Sequence, residues 1–174
     1  MKFLRTLSVA VASVAASLSL AQAEPLAVGA PAPQITAVDQ DGKKVNFKDV
    51  YAKGPTLVYF YPKAHTGGCT AQGCSLRDEW ANLQAKGVQV LGVSGDTEAD
   101  QKSFKEKQNF PFPLIADTDS AVAHAFGVPL KGKIPTRQSF LIRDGKIAWN
   151  MLEKTTTKTH GADVLKAVEA TDKK

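Results

Sequence analysis

Thr56-Leu-Val-Tyr-Phe-Tyr61-Pro-Lys-Ala-His-Thr66-Gly-Gly-Cys69-Thr-Ala-Gln-Gly-Cys74 joins an apolar run to the start of a helical pattern. Thr56 to Tyr61 is almost entirely apolar, β-branched or aromatic, as a central strand covered on both faces is. Pro62 ends it. From about Gly67 to Lys86, Cys69, Gly73, Leu76, Trp80 and Leu83 recur on one helical face, and Gly87 stands where a C-terminal glycine belongs. Cys69 therefore falls at a strand-to-helix junction. A helix N-terminus offers free N–H groups and a partial positive charge, and both stabilise a thiolate.

Working outward, the same alternation continues. Glu24 to Pro33 reads as extended. Gln34 to Phe47 reads as a hairpin turning at Asp41-Gly42, followed by one helical turn from Lys48 to Ala52. Val88 to Ser94 is a second buried strand. A helix from about Thr97 to Gln108 follows, capped by Asp96 or Thr97. Pro113 to Ala116 is a short strand, and Asp119 to Phe126 a short helix closed by Gly127. Arg137–Arg143 and Lys146–Leu152 form a hairpin across Asp144-Gly145, and a terminal helix carries Val164, Leu165 and Val168. The pattern predicts an α/β fold: a mixed central sheet with helices on both faces and an N-terminal β-hairpin.

Residues 1–23 read as a leader. Lys2 and Arg5 form a basic start, Leu7 to Leu20 an apolar stretch, and Ala21-Gln22-Ala23 a small-x-small cleavage site. The alternative, a membrane anchor, requires about 20 apolar residues, more than this stretch supplies. The expectation is a signal peptide over 1–23 and one domain over 24–174, exported to the periplasm or secreted without stable membrane association. The chain has 22 basic and 17 acidic residues; without Lys2 and Arg5 the balance is 20 against 17, a net charge of +3. That charge is mild and the lysines are scattered, from Lys43-Lys44 to Lys173-Lys174, which gives no argument for nucleic acid.

Cys69 and Cys74 are the only two cysteines. In an exported protein two cysteines usually form a structural disulfide. A bridge over so short a loop adds little, because loop-closure stabilisation grows with loop length. Five residues of intact helix also turn the side chain by about 140° and separate the Cα atoms by roughly 8–9 Å, while a disulfide needs them within about 7 Å. If these cysteines bridge, the helix start must unwind. This suits a two-step cycle in which Cys69 is oxidised to a sulfenic acid and Cys74 condenses with it, an external dithiol restoring both thiols.

The stretch Pro62-Lys-Ala-His-Thr66-Gly-Gly-Cys69 resembles the P-x-x-x-T-x-x-C signature of peroxiredoxins, and a second cysteine five residues on is similar to the PrxQ, or bacterioferritin-comigratory-protein, type. Val93-Ser-Gly-Asp96, Phe110-Pro-Phe-Pro-Leu-Ile-Ala-Asp117, Ala125-Phe-Gly-Val128 and Arg137-Gln-Ser-Phe-Leu-Ile142 extend the resemblance from about Val28 to the terminal helix. It implies a thioredoxin-like fold and reduction of hydrogen peroxide or small organic hydroperoxides, with no cofactor and a thioredoxin-like dithiol as reductant. It implies Cys69 as the peroxidatic cysteine, Cys74 as the resolving one, Thr66 as a ligand to the peroxide oxygen, Pro62 as a shield against water and Arg137 as the arginine beside the thiolate. A fixed guanidinium there stabilises the charge spread over S–O–O during attack. It implies a monomer as well, and no large apolar stripe demands a dimer. The chain departs from the family at Gly67, where proline is common, and at Ala64-His65, where acidic residues are.

Plainer readings stand beside these. Thr66 is also a simple N-cap, Arg137 a surface ion-pair partner, and Trp80 and Trp149 core packing. His65 either adds positive character near the site or is a bystander, and His124 and His160 read as helix or surface residues. A metal site built on Cys69, Cys74 and His65 lacks the second ligand pair typical of zinc. Two other functions compete: a thiol–disulfide oxidoreductase, which the C-x4-C spacing disfavours, and a binding domain with inert cysteines. Ile134-Pro-Thr136 resembles the cis-proline element of thioredoxins, but aligning the strand on Phe140-Leu-Ile142 puts Arg137 at that proline's position.

Overall fold

The computed structural model describes residues 24–153 and 156–172; the expected leader over 1–23 and Lys173-Lys174 lie outside them. At the N-terminal end β1 (Thr36–Val38) pairs antiparallel with β2 (Lys44–Asn46), the expected hairpin, and α1 (Phe47–Tyr51) follows. The main sheet comprises β3 (Thr56–Phe60), β4 (Gln89–Ser94), β5 (Leu114–Ala116), β8 (Gln138–Arg143) and β9 (Lys146–Met151), in the order β5-β4-β3-β8-β9. β3 runs parallel to β4, and β4 to β5, while β8 is antiparallel to β3 and β9. The apolar run that begins at Thr56 is thus the middle strand, and all five residues of β3 are buried.

Alternation along the strands splits the core into two layers. Leu57, Tyr59 and Leu141 face one side, with Cys69 and Leu76 of α2 (Gly67–Asp78), Leu83 of α3 (Trp80–Ala85), Phe104 of α4 (Glu98–Gln108), and Val164 and Val168 of α6 (His160–Thr171). Val58, Phe60, Phe140 and Ile142 face the other, with Phe47 of α1 and Val122 of α5 (Ala121–Ala125). This is the thioredoxin-like arrangement expected, a mixed sheet with helices on both faces.

Two features differ from the sequence reading. The single helix expected from Gly67 to Lys86 is two, interrupted at Glu79, where φ is −89° and ψ is 4°. The start of α6 crosses α2 here: a Cβ on Gly161 would lie 2.2 Å from the carbonyl oxygen of Ser75 and 2.9 Å from Cγ of Glu79. A small hairpin, β6 (Leu130–Lys131) with β7 (Ile134–Pro135), was also not expected; its two-residue strands are too short to show a period. Pro135 follows a trans peptide, since no described peptide bond is cis. No helix among the described residues is long and apolar enough to cross a membrane.

Candidate active site

The site lies where β3 runs into α2. Cys69 occupies the first turn of α2 and is buried, whereas Thr66, Gly67 and Gly68 before it are exposed. Thr66 is the N-cap by position, with extended backbone (φ −84°, ψ 150°), but its side chain does not cap. Its hydroxyl instead donates to the carbonyl of Lys63 at 2.9 Å. The lone pairs of Thr66 Oγ1 are thereby left to accept from a reactant. Gly67 has open space around it, and Pro62 is half-buried directly after the strand.

Arg137 precedes β8, next to β3 in the sheet, and reaches across to the helix. Its Nη2 donates to Sγ of Cys69 at 3.3 Å, and its Nη1 donates to Oε1 of Gln72, one turn further along α2. A guanidinium held at two points stabilises negative charge at the sulfur without having to reorganise. Gln72 is fully buried. Sequence reasoning passed over it, although its place three residues after Cys69 puts it on the same helical face.

The loop leading to the helix is held from β4. Asp96 Oδ2 accepts from the backbone N–H of Ala64 at 2.7 Å and from the Ser94 hydroxyl at 2.7 Å. Gln101 Nε2 donates to Ser94 Oγ at 2.8 Å, and the Tyr61 hydroxyl donates to Gln101 Oε1. Asp96 therefore anchors the active loop, and Thr97 alone caps α4, accepting from Asp100 N at 3.2 Å. Beneath Cys69, Tyr59 stays protonated: burial first, then the charges of Tyr61, Cys69 and Cys74, push its hydroxyl well above the ordinary range.

Cys74 lies further along α2, half-buried, with its thiol directed at Gln108 Oε1 at 3.7 Å. Both cysteines are free thiols. Between them Gly73 is covered by Phe110, whose Cζ would lie 2.4 Å from any Cβ there. Arg77 holds the end of α4 by donating to the carbonyl of Gln108 at 2.8 Å. His65 is exposed and packs edge-on against Phe104, with centroids 5.1 Å apart. His124 is exposed on α5. His160 is fully buried at the start of α6, 3.0 Å from Ser139 Oγ. Trp80 and Trp149 pack against the core cluster. Among the described residues no group of three metal-ligating side chains converges.

The sequence model of the AhpC/TSA family matches residues 28–150. A chloroplastic peroxiredoxin Q of Oryza sativa subsp. japonica is 35% identical over 145 residues, covering 82% of this chain and 66% of the relative. The chain spans between about half and two thirds of the length of the first curated relatives it matches. Among solved structures, peroxidoxin BcpB from Mycobacterium tuberculosis superposes with a TM-score of 0.77 at 29% identity, over 82% of this chain and 96% of that one. The Xanthomonas campestris bacterioferritin comigratory protein, described for its alkyl peroxide reduction activity, does so with a TM-score of 0.73 at 25% identity, over 83% and 98%.

Proposed function

The chain belongs to the AhpC/TSA family, and from that premise we propose that it is a thiol-dependent peroxidase of the peroxiredoxin Q type, acting on hydrogen peroxide and small organic hydroperoxides. The observation that carries this reading is the Arg137 guanidinium 3.3 Å from Cys69 Sγ at the first turn of a helix. Negative charge moves from sulfur onto oxygen in the attack, and these donors meet it along that path.

The Cys69 thiolate attacks the terminal peroxide oxygen. An S–O bond forms, the O–O bond breaks, and the departing alkoxide or hydroxide leaves as alcohol or water on taking a proton. Thr66 Oγ1, its own proton committed to Lys63, accepts the hydrogen of the bound peroxide, and Pro62 limits access of bulk water. The α2 start then opens, the Cys74 thiolate displaces hydroxide from the Cys69 sulfenic acid, and a disulfide forms. An external thioredoxin-like dithiol returns two electrons by exchange. Export as a periplasmic or secreted protein is part of this proposal, supported by the basic, apolar and small-x-small pattern of residues 1–23.

Stopped-flow oxidation followed by mass spectrometry tests the assignment. Cys69→Ser abolishes peroxide consumption. Cys74→Ser gives one rapid turnover and stops at the sulfenic acid, while the wild type accumulates a Cys69–Cys74 bridge. Equal loss of the first oxidation in both variants would overturn the roles given to the two cysteines.

A further inference from the structure

The β6–β7 hairpin places an exposed apolar side chain between unpaired lysines at the rim of the site. Ile134 is 46% exposed, and only it and Val28 are large apolar side chains left exposed among the described residues. Lys131 and Lys133, also exposed, make no ion pair among those residues, nor does Lys63 on the active loop. The hairpin is firmly seated. The carbonyl oxygen of Lys133 packs so closely on Gly95 that a Cβ there would lie 2.3 Å away, and Thr136 N donates to Pro129 O at 2.9 Å. Gly95 adjoins Asp96, which holds the active loop, and Ile134 is three residues before Arg137, which touches Cys69.

The acids that follow Gly95 form no ion pair with Lys131 or Lys133 among the described residues. The Asp96 carboxylate is engaged by Ala64 N and Ser94 Oγ, Asp100 is bonded to Thr97, and Glu98 Oε2 points to Gly42 in the N-terminal hairpin. What remains is an apolar contact flanked by lysines, seated on Gly95 and three residues before the arginine that touches the reacting sulfur.

Resting on the thiol-peroxidase reading, we infer that the Lys131–Ile134 hairpin tip is the docking surface for the protein dithiol that re-reduces the enzyme, a partner with an apolar, acid-flanked face around its reactive sulfur. A peroxide is too small to need such a surface. The reductant must bring a sulfur into line with the disulfide, so its face has to rest on this rim. In the exchange one partner sulfur bonds to a sulfur of the Cys69–Cys74 bridge, which breaks. The partner's second sulfur then attacks its first, the bond from that sulfur to the enzyme breaks, and the enzyme cysteine is the leaving group. The partner leaves as a disulfide, and its two protons end on Cys69 and Cys74. Complementary charge acts mainly on the rate of encounter and weakens with salt.

The test uses full-length protein oxidised with diamide, so that the bridge is formed without peroxide. Re-reduction is followed with reduced thioredoxin of net negative charge and, separately, with dithiothreitol. In K131E/K133E the rate with thioredoxin falls about tenfold at low ionic strength and loses its salt dependence, and Ile134→Ser lowers it at every salt concentration. The dithiothreitol rate and the first oxidation by peroxide stay at wild-type values in both. Unchanged thioredoxin rates, or parallel losses with dithiothreitol, would overturn the docking surface. Failure of the wild type to consume peroxide, with thioredoxin still discriminating the variants, falls on the peroxidase reading alone.

Discussion

Arg137 Nη2 lies 3.3 Å from the sulfur of Cys69, and the other arm of the same guanidinium is fixed by Gln72. The charge is thus aimed before any reactant arrives. Arg137→Ala lowers the second-order rate of Cys69 oxidation by peroxide on the order of 100-fold, the scale of losing one well-placed donor to a developing anion. Arg137→Lys keeps the charge but cannot serve sulfur and amide together, so its rate falls between the two. Stopped-flow measurement with hydrogen peroxide checks both; an Arg137→Lys rate as low as that of Arg137→Ala would show that geometry, not charge, carries the effect.

Gly67 offers a test of how the helix start opens. It is the first residue of α2, has open space where a side chain would lie, and follows Thr66 at φ −84° and ψ 150°. That is the conformation a residue before proline adopts, and the first helical position is where proline is best tolerated. Gly67→Pro therefore fits the folded state and stabilises it by about 0.4–1 kcal/mol through the unfolded chain. Because the fully folded helix gains and the unwound one does not, disulfide formation slows while the first oxidation is unchanged. Urea unfolding and rapid-quench mass spectrometry measure the two effects.

What the sequence revealed and what it hid divide along contact range. The buried run Thr56–Phe60, the Asp144-Gly145 turn and the alternation of strands with helices are written in neighbouring residues, so local patterning exposes them. At the break at Glu79, Gly161 arrives from the far end of the chain and packs against Ser75 and Glu79, a contact no local signal carries. Thr66 looked like a capping residue because its type and position suit a cap; a carbonyl three residues back takes its hydroxyl instead. Asp96 read equally well as a cap for α4, and only the fold shows its carboxylate turned to Ala64. Gln72 and His160 are polar residues in helices, which usually face solvent, and their burial follows from how α2 and α6 meet the sheet.

That meeting point gives a stability prediction. Ser75 Oγ accepts from Gly161 N at 2.9 Å, capping α6 from another helix where Thr159 provides no side-chain cap. Ser75→Ala leaves that N–H unmet and costs about 1 kcal/mol. Gly161→Ala costs more, at least about 1–3 kcal/mol, because its Cβ would meet backbone at 2.2 Å. Thermal unfolding of the two variants should rank them in that order, and the reverse order would mean the helix crossing is looser than its geometry.

His160 makes stability depend on pH. Burial holds its imidazole down to about 4 from 6.5, with Asp163 opposing the shift and Arg137 adding to it. The fold accepts the neutral ring, so the folded value is the depressed one. Its contribution is fully present above pH 6.5 and is lost as pH falls from 6.5 to about 4, where the loss reaches about 3 kcal/mol. His160→Gln, which keeps a polar group toward Ser139 but does not titrate, removes this component. Urea midpoints at pH 7 and pH 4.5 measure it: the wild type loses more stability between them than the variant does. Equal losses would mean that protonated His160 is accommodated without cost, by opening of the α6 start away from Ser139.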